Sequence, residues 1–112
     1  MNYKNPSGFP EYLPDEQFVF DGMIRKLKEI YGLYGFLPLE TSSVEYLDTL
    51  VSDGEITKEI YSLKRAASEG ASSEDKRALH FDLTVPFARY TAQNFNELSF
   101  PYKRYQVQKV WR

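Results

Sequence analysis

The sequence predicts an α+β fold. Three observations carry that expectation. A long run after Pro14 repeats apolar residues at helical spacing; two short β-type runs flank a polar connector; and the last ten residues alternate in the manner of a strand. With 112 residues the chain makes one domain at most. Its 42% hydrophobic and 27% charged residues suit a soluble globular protein, and a 16% aromatic share favours half-buried strands or ring-lined surfaces. A net charge of −2 provides no global field for gathering nucleic acid, so any such contact must be local. The absence of cysteine excludes disulfides and thiolate metal sites and fits a reducing compartment. No stretch resembles a signal peptide or approaches membrane-spanning length, so the expectation is a cytoplasmic protein without membrane contact.

Residues 1–14 hold three prolines and one glycine and read as an extended N-terminal arm, leaving 15–112 as the folded domain. Asp15-Glu16-Gln17 follows Pro14 as a helix start, with acids in the first turn where the macrodipole favours them. Phe20, Met23, Ile24, Leu27, Ile30, Tyr31 and Tyr34 then form a stripe read as core, with Arg25, Lys26 and Lys28 opposite and Gly32 and Gly35 bracketing the end. Phe36 to Thr41 reads as a short extended piece made an edge by Pro38, followed by a helical turn or two capped by Ser42 or Ser43. Ile60–Lys64 and Ala78–Phe81 read as strands joined by a mobile hairpin connection over Ala66–Lys76. VPFARYTAQNF suits a helix with Thr84 as N-cap and Pro86 tolerated in its first turn. Lys103–Arg112 reads as a final strand.

The candidate chemistry sits at Asp82, Thr84 and Arg112. In extended backbone Asp82 and Thr84 would share one face of a sheet, and Gln106, Gln108, Val110 and Arg112 would share one face of the last strand. Such a polar face suits a zwitterion beside a phosphate. Asp82 can pair an ammonium, Thr84 can hydrogen-bond it, and Arg112 can clamp a carboxylate or phosphate in a bidentate fork. Plainer readings stand beside these: Asp82 and Thr84 as caps of the following helix, and Arg112 as a surface charge. His80, the single histidine, reads as a packed strand residue, and Lys103-Arg104 as a solvated strand start. No metal site, glycine-rich phosphate loop or nucleophilic triad can be argued.

LHFDLTVPFARY followed by PYKRYQVQKVWR closely resembles the histidyl-tRNA synthetases, class II aminoacyl-tRNA synthetases. The order of segments agrees: an arm with Pro6, Gly8, Tyr12, Leu13 and Pro14, a helix, a YGF-containing first class II motif, a KEIY strand, the DLT segment and the start of the second motif. The resemblance implies the N-terminal part of a class II catalytic domain, an antiparallel sheet flanked by helices, truncated after Arg112. It implies that Asp82, Leu83 and Thr84 line the histidine pocket, with Asp82 and Thr84 on the α-amino group. Arg112 would bind the substrate carboxylate and the ATP α-phosphate. The implied reaction is activation of histidine with ATP and Mg2+ to histidyl-adenylate and transfer to tRNA(His), in a homodimer with no permanent cofactor. The isolated segment is expected to have little or no activity. Ser42 stands where the family's first motif usually has a proline at the dimer interface, and Ser7 and Phe9-Pro10-Glu11 depart from the usual arm. The alternative is a non-catalytic synthetase-like paralogue, such as the regulatory subunit of ATP phosphoribosyltransferase or a histidine or tRNA sensor domain.

Overall fold

The computed structural model describes residues 3–51, 58–64 and 76–112. Positions 66–75 of the expected hairpin connection lie outside the described residues. The chain divides into two compact units, Met1–Leu37 and Pro38–Arg112.

In the first unit the arm turns at Gly8, whose φ of 85° lies in the left-handed region open to glycine. The Phe9 N–H donates to the Pro6 carbonyl at 3.2 Å, and Asn5 Nδ2 donates to the Phe9 carbonyl. Helix α1 runs Pro14–Leu33. Pro14 occupies its first position, where a missing N–H costs nothing, and the Glu16 carboxylate accepts from the Leu13 N–H at 3.1 Å. The helix stops in a Schellman motif. Gly35, at φ 77°, donates to the Gly32 carbonyl at 3.0 Å, Phe36 donates to the Tyr31 carbonyl at 3.1 Å, and the Tyr31 and Phe36 rings lie 6.3 Å apart. A Cβ on Gly35 would meet no neighbour within 4 Å, so its conformation alone sets the requirement. Gly35→Ala is therefore expected to cost about 1 kcal/mol, read as a lower midpoint in urea unfolding.

The apolar stripe of α1 corrects the sequence reading: it is not core. Phe20, Met23, Leu27, Ile30, Tyr31 and Tyr34 are all exposed, Tyr34 at 70%, and Ile24 is half-buried. Within its unit the helix has only the arm to pack on, and the stacked Tyr12–Phe20 pair, 5.7 Å between centroids, covers a single turn. No described helix is long and apolar enough to cross a membrane.

β1 (Leu37–Pro38) spans the division, and the second unit continues through β2 (Val44–Tyr46), α2 (Leu47–Leu50), β3 (Ser62–Leu63) and β4 (Arg77–Leu79). Helix α3 (Thr84–Gln93), a 3₁₀ turn (Phe95–Glu97) and β5 (Arg104–Tyr105) complete it. β4 is the centre of an antiparallel sheet ordered β2-β4-β3, with Val44 opposite Leu79, Tyr46 opposite Arg77 and Ser62 opposite Ala78. A small parallel sheet of β1 and β5 is continued by the Leu39 N–H, which donates to the Tyr105 carbonyl at 3.0 Å. Among the described residues the sealed core is small: Leu50, Ala78, Pro86 and His80, with the polar Thr41 and Glu45 also buried. Around it Phe87 stacks on Tyr102 at 6.3 Å, and the Arg104 guanidinium lies 4.0 Å from the Phe87 centroid. Arg104 is thus a packed cation, not the solvated strand start read from sequence.

Three further expectations change. After Ser42 and Ser43 the chain enters a strand before any helix, because the Ser42 hydroxyl makes a local turn: it donates to the Val44 carbonyl at 2.7 Å and accepts the Val44 N–H at 3.2 Å. α2 instead starts from Tyr46, without a side-chain cap. Thr84 is not the N-cap of α3; Leu83 is, and Thr84 is the first helical residue with Pro86 buried two positions on. The last strand ends at Tyr105, and residues 106–112 have no regular ladder.

Candidate functional site

The segment joining β4 to α3 carries Asp82, Leu83 and Thr84. Leu83 is αR (φ −109°, ψ −6°), so the two polar side chains are not placed by the period of a strand. Asp82 is half-buried, and its Oδ1 lies 3.4 Å from the Val85 N–H, one of the orphan donors of the first turn of α3. Of the two residues read as caps, the Asp82 carboxylate is the one that bonds the helix start, while its second oxygen takes no bond from a described residue. Thr84 is exposed at the mouth of the helix. Both side chains stand where the positive end of the α3 dipole and the Asp82 charge meet.

Arg112 is exposed, and no described residue takes a hydrogen bond or ion pair from its guanidinium. Its backbone neighbour is held against the same segment: the Trp111 N–H donates to the His80 carbonyl at 3.1 Å. Arg112 thus follows directly on a residue bonded two positions before Asp82. The carboxamides expected on the Arg112 face have partners of their own. Gln108 Nε2 donates to the Thr41 carbonyl at 2.7 Å and its Oε1 accepts the Thr41 N–H at 3.2 Å, so one carboxamide satisfies both peptide groups of a buried residue. Gln106 Nε2 donates to Gln108 Oε1 at 2.8 Å and to Thr41 Oγ1 at 3.1 Å. The alternation read from sequence brings Gln106 and Gln108 together, but as a brace on the Thr41 loop.

His80 is fully buried, in keeping with its reading as a packed residue. Its peptide N–H donates to the Ser43 carbonyl at 3.0 Å and its ring stacks on Trp111, 5.5 Å between centroids. Sequence reasoning passed over Glu45 and Arg89. Glu45 on β2 is buried and Arg89 lies on α3; Nη2 donates to Oε1 at 2.8 Å, Nε stands 2.7 Å from Oε2, and Nη1 donates to Gln93 Oε1 at 2.7 Å. This fork fixes α3, and with it Asp82 and Thr84, on the sheet. No signal in the sequence marks a pair 44 residues apart. Among the described residues no three His, Cys, Asp or Glu side chains group as a metal site.

No family model matches the chain. Its sequence is 52% identical over 107 residues to the histidine–tRNA ligase of Thermobifida fusca, across 95% of this chain and 24% of that protein. Its fold superposes on the crystal structure of histidyl-tRNA synthetase from a Nostoc species with a TM-score of 0.88 and 40% identity, covering 100% of this chain and 24% of that one. An ATP phosphoribosyltransferase regulatory subunit/histidyl-tRNA synthetase from Bacillus halodurans shares the fold, with a TM-score of 0.80 at 21% identity, over 100% of this chain and 28% of that one. The chain spans about a quarter of the length of the curated relatives it matches.

Proposed function

Starting from the place of this chain in the histidyl-tRNA synthetase family, we propose that it supplies the amino-group side of the histidine pocket and the α-phosphate arginine of a histidine–tRNA ligase. The parent activity is formation of histidyl-adenylate from histidine and ATP, followed by transfer to tRNA(His). Asp82 pairs the substrate ammonium with the carboxylate oxygen left free by the helix cap, and Thr84 hydrogen-bonds the same group beside Leu83. Arg112 holds the substrate carboxylate in line with the α-phosphorus of ATP and meets the negative charge that grows there as pyrophosphate leaves. Mg2+ enters with the nucleotide. No side chain of the segment has to accept a proton from the nucleophile, because the histidine carboxylate is already ionised. Positioning and charge stabilisation are the whole contribution of these residues.

The observation that supports this reading most directly is the bond from the Trp111 N–H to the His80 carbonyl, which brings the chain at Arg112 beside the segment that carries Asp82. The test is histidine-dependent exchange of pyrophosphate into ATP by the synthetase polypeptide that carries these residues. Exchange supports the ligase. Histidine binding without exchange, in a folded protein, would assign the segment to a non-catalytic paralogue instead.

The protein is also proposed to work as a cytoplasmic homodimer. Support comes from the exposed stripe of α1, with Phe20, Met23, Leu27 and Ile30 unburied along one face, the kind of contiguous apolar surface that marks an interface. The 112-residue chain is accordingly expected to sediment as a dimer at micromolar concentration, and a stable monomer there would count against the dimer. Ser42 replaces a proline-set turn with a hydroxyl-set one at the position where the family's proline packs. Contacts to tRNA(His) are assigned mostly to regions of the longer relatives that this chain does not span.

A further inference from the structure

One buried side chain holds the site's two halves in register. We infer that His80 is the positioning residue that sets Arg112 relative to Asp82, an inference that rests on the proposed ligase reading. His80 Nε2 lies 2.7 Å from the Lys109 carbonyl. A carbonyl only accepts, so the neutral ring carries its proton on Nε2. The same residue's carbonyl accepts the Trp111 N–H at 3.1 Å, and its ring stacks on the Trp111 indole with an interplanar angle of 30°. Side chain and backbone of His80 therefore grip Lys109 and Trp111, alternate residues of a segment that has left the sheet ladder at Tyr105. Without a ladder, residues 106–112 owe their register to such contacts, and a slip of one residue would turn Arg112 to the opposite side. Asp82 follows two residues after His80 in the same short connection, so both groups are placed from one anchor.

Packing does not account for a histidine here. Nδ1 is buried with no hydrogen-bond partner among the described residues, a loss that an apolar residue of similar volume would avoid. What the imidazole supplies, and a phenyl ring does not, is the N–H toward Lys109.

The experiment compares His80→Phe, which keeps the ring and removes the donor, with His80→Gln, whose amide nitrogen stands close to the place of Nε2. In the synthetase polypeptide, H80F is expected to lower kcat for histidine-dependent exchange by about 10–100-fold with a smaller effect on KM for histidine, and H80Q to recover most of it. In the 112-residue chain, H80F is expected to speed hydrogen exchange at the Trp111 amide by about tenfold or more, and H80Q to restore its protection. Should H80F fail to fold, H80N, whose amide falls on the Nδ1 side, takes its place with the same expectation. Unchanged kcat and unchanged Trp111 exchange in the donor-less variant would overturn the inference, as would H80Q as impaired as H80F. Wild-type protein with no exchange of pyrophosphate refutes the ligase reading alone, and the Trp111 amide then still decides whether His80 holds the segment.

Discussion

Arg112→Ala, placed in the synthetase polypeptide, is expected to reduce kcat for histidine-dependent pyrophosphate exchange by about 10²–10³-fold while the unfolding midpoint stays close to wild type. The guanidinium is exposed and holds no described residue, so its removal breaks no bond to any of them. On the proposed reading, what it removes is a planar donor pair for two anionic groups, the substrate carboxylate and the α-phosphate, whose charge is redistributed as the adenylate forms. Arg112→Lys should recover only a small part, since an ammonium offers charge without the fork that orients carboxylate and phosphate together. Asp82 separates in the opposite way. Its carboxylate has one duty within the fold, to accept the Val85 N–H through Oδ1, and one proposed duty toward the substrate ammonium. Asp82→Asn keeps an acceptor for the cap and loses the charge. It is therefore expected to raise KM for histidine by about tenfold with stability nearly unchanged, whereas Asp82→Ala should lower stability as well, by about 1 kcal/mol. Steady-state kinetics paired with urea unfolding of the same samples checks both. An Arg112→Ala enzyme within a few-fold of wild type would remove the phosphate role from this residue, and equal KM in wild type and Asp82→Asn would remove the ammonium role from Asp82.

How much of this was legible in the sequence depends on how local the determining interaction is. Helix α1 and its end were readable because Pro14, the acidic first turn, the 3.6-residue stripe and Gly35 act within a few residues of one another. The environment of the stripe was not readable: spacing identifies an apolar face, and what covers that face is a property of other chain segments. Strand β2 was misread as helix because serine is a good N-cap, while the Ser42 hydroxyl closes on Val44 and turns the chain into the sheet. Of the two residues read as caps, Asp82 bonds the first turn of α3 and Thr84 does not, a difference set by the αR conformation of Leu83 that composition does not reveal. In the last segment the alternation of Gln106 and Gln108 was correct and its meaning was not. Their carboxamides bond the peptide of Thr41, 67 residues away from Gln108, in place of a backbone ladder. The motif-level resemblance named Asp82, Thr84 and Arg112 for the proposed site, and left unmarked the residues packed around their segments, His80, Glu45 and Arg89.

Of those supports the Glu45–Arg89 fork is the one whose loss should cost most. Arg89→Ala is expected to destabilise the protein by about 3 kcal/mol, more than Glu45→Gln. The asymmetry follows from exposure. The Glu45 side chain is 4% accessible, so without the guanidinium its carboxylate stays out of water with a full charge and no counterion. The Arg89 side chain is 30% accessible, so after loss of the carboxylate charge its guanidinium can turn toward solvent and keep its bond to Gln93. Screening through that exposed edge also trims the figure from the top of the range for fully buried pairs. The consequence reaches the site, because Arg89 is the fixed point of α3 on β2, and the first turn of α3 carries Thr84 and is bonded by Asp82 from the residue before its N-cap. In the synthetase polypeptide Arg89→Ala should therefore raise KM for histidine as well as lower the urea midpoint, and Arg89→Lys, with one compact charge, should restore part of the stability and little of the KM. A double-mutant cycle with Glu45→Gln separates the two contributions. A coupling energy near zero would mean that the fork is incidental to both fold and site, and that α3 is held by the packing of Pro86 and Phe87 alone.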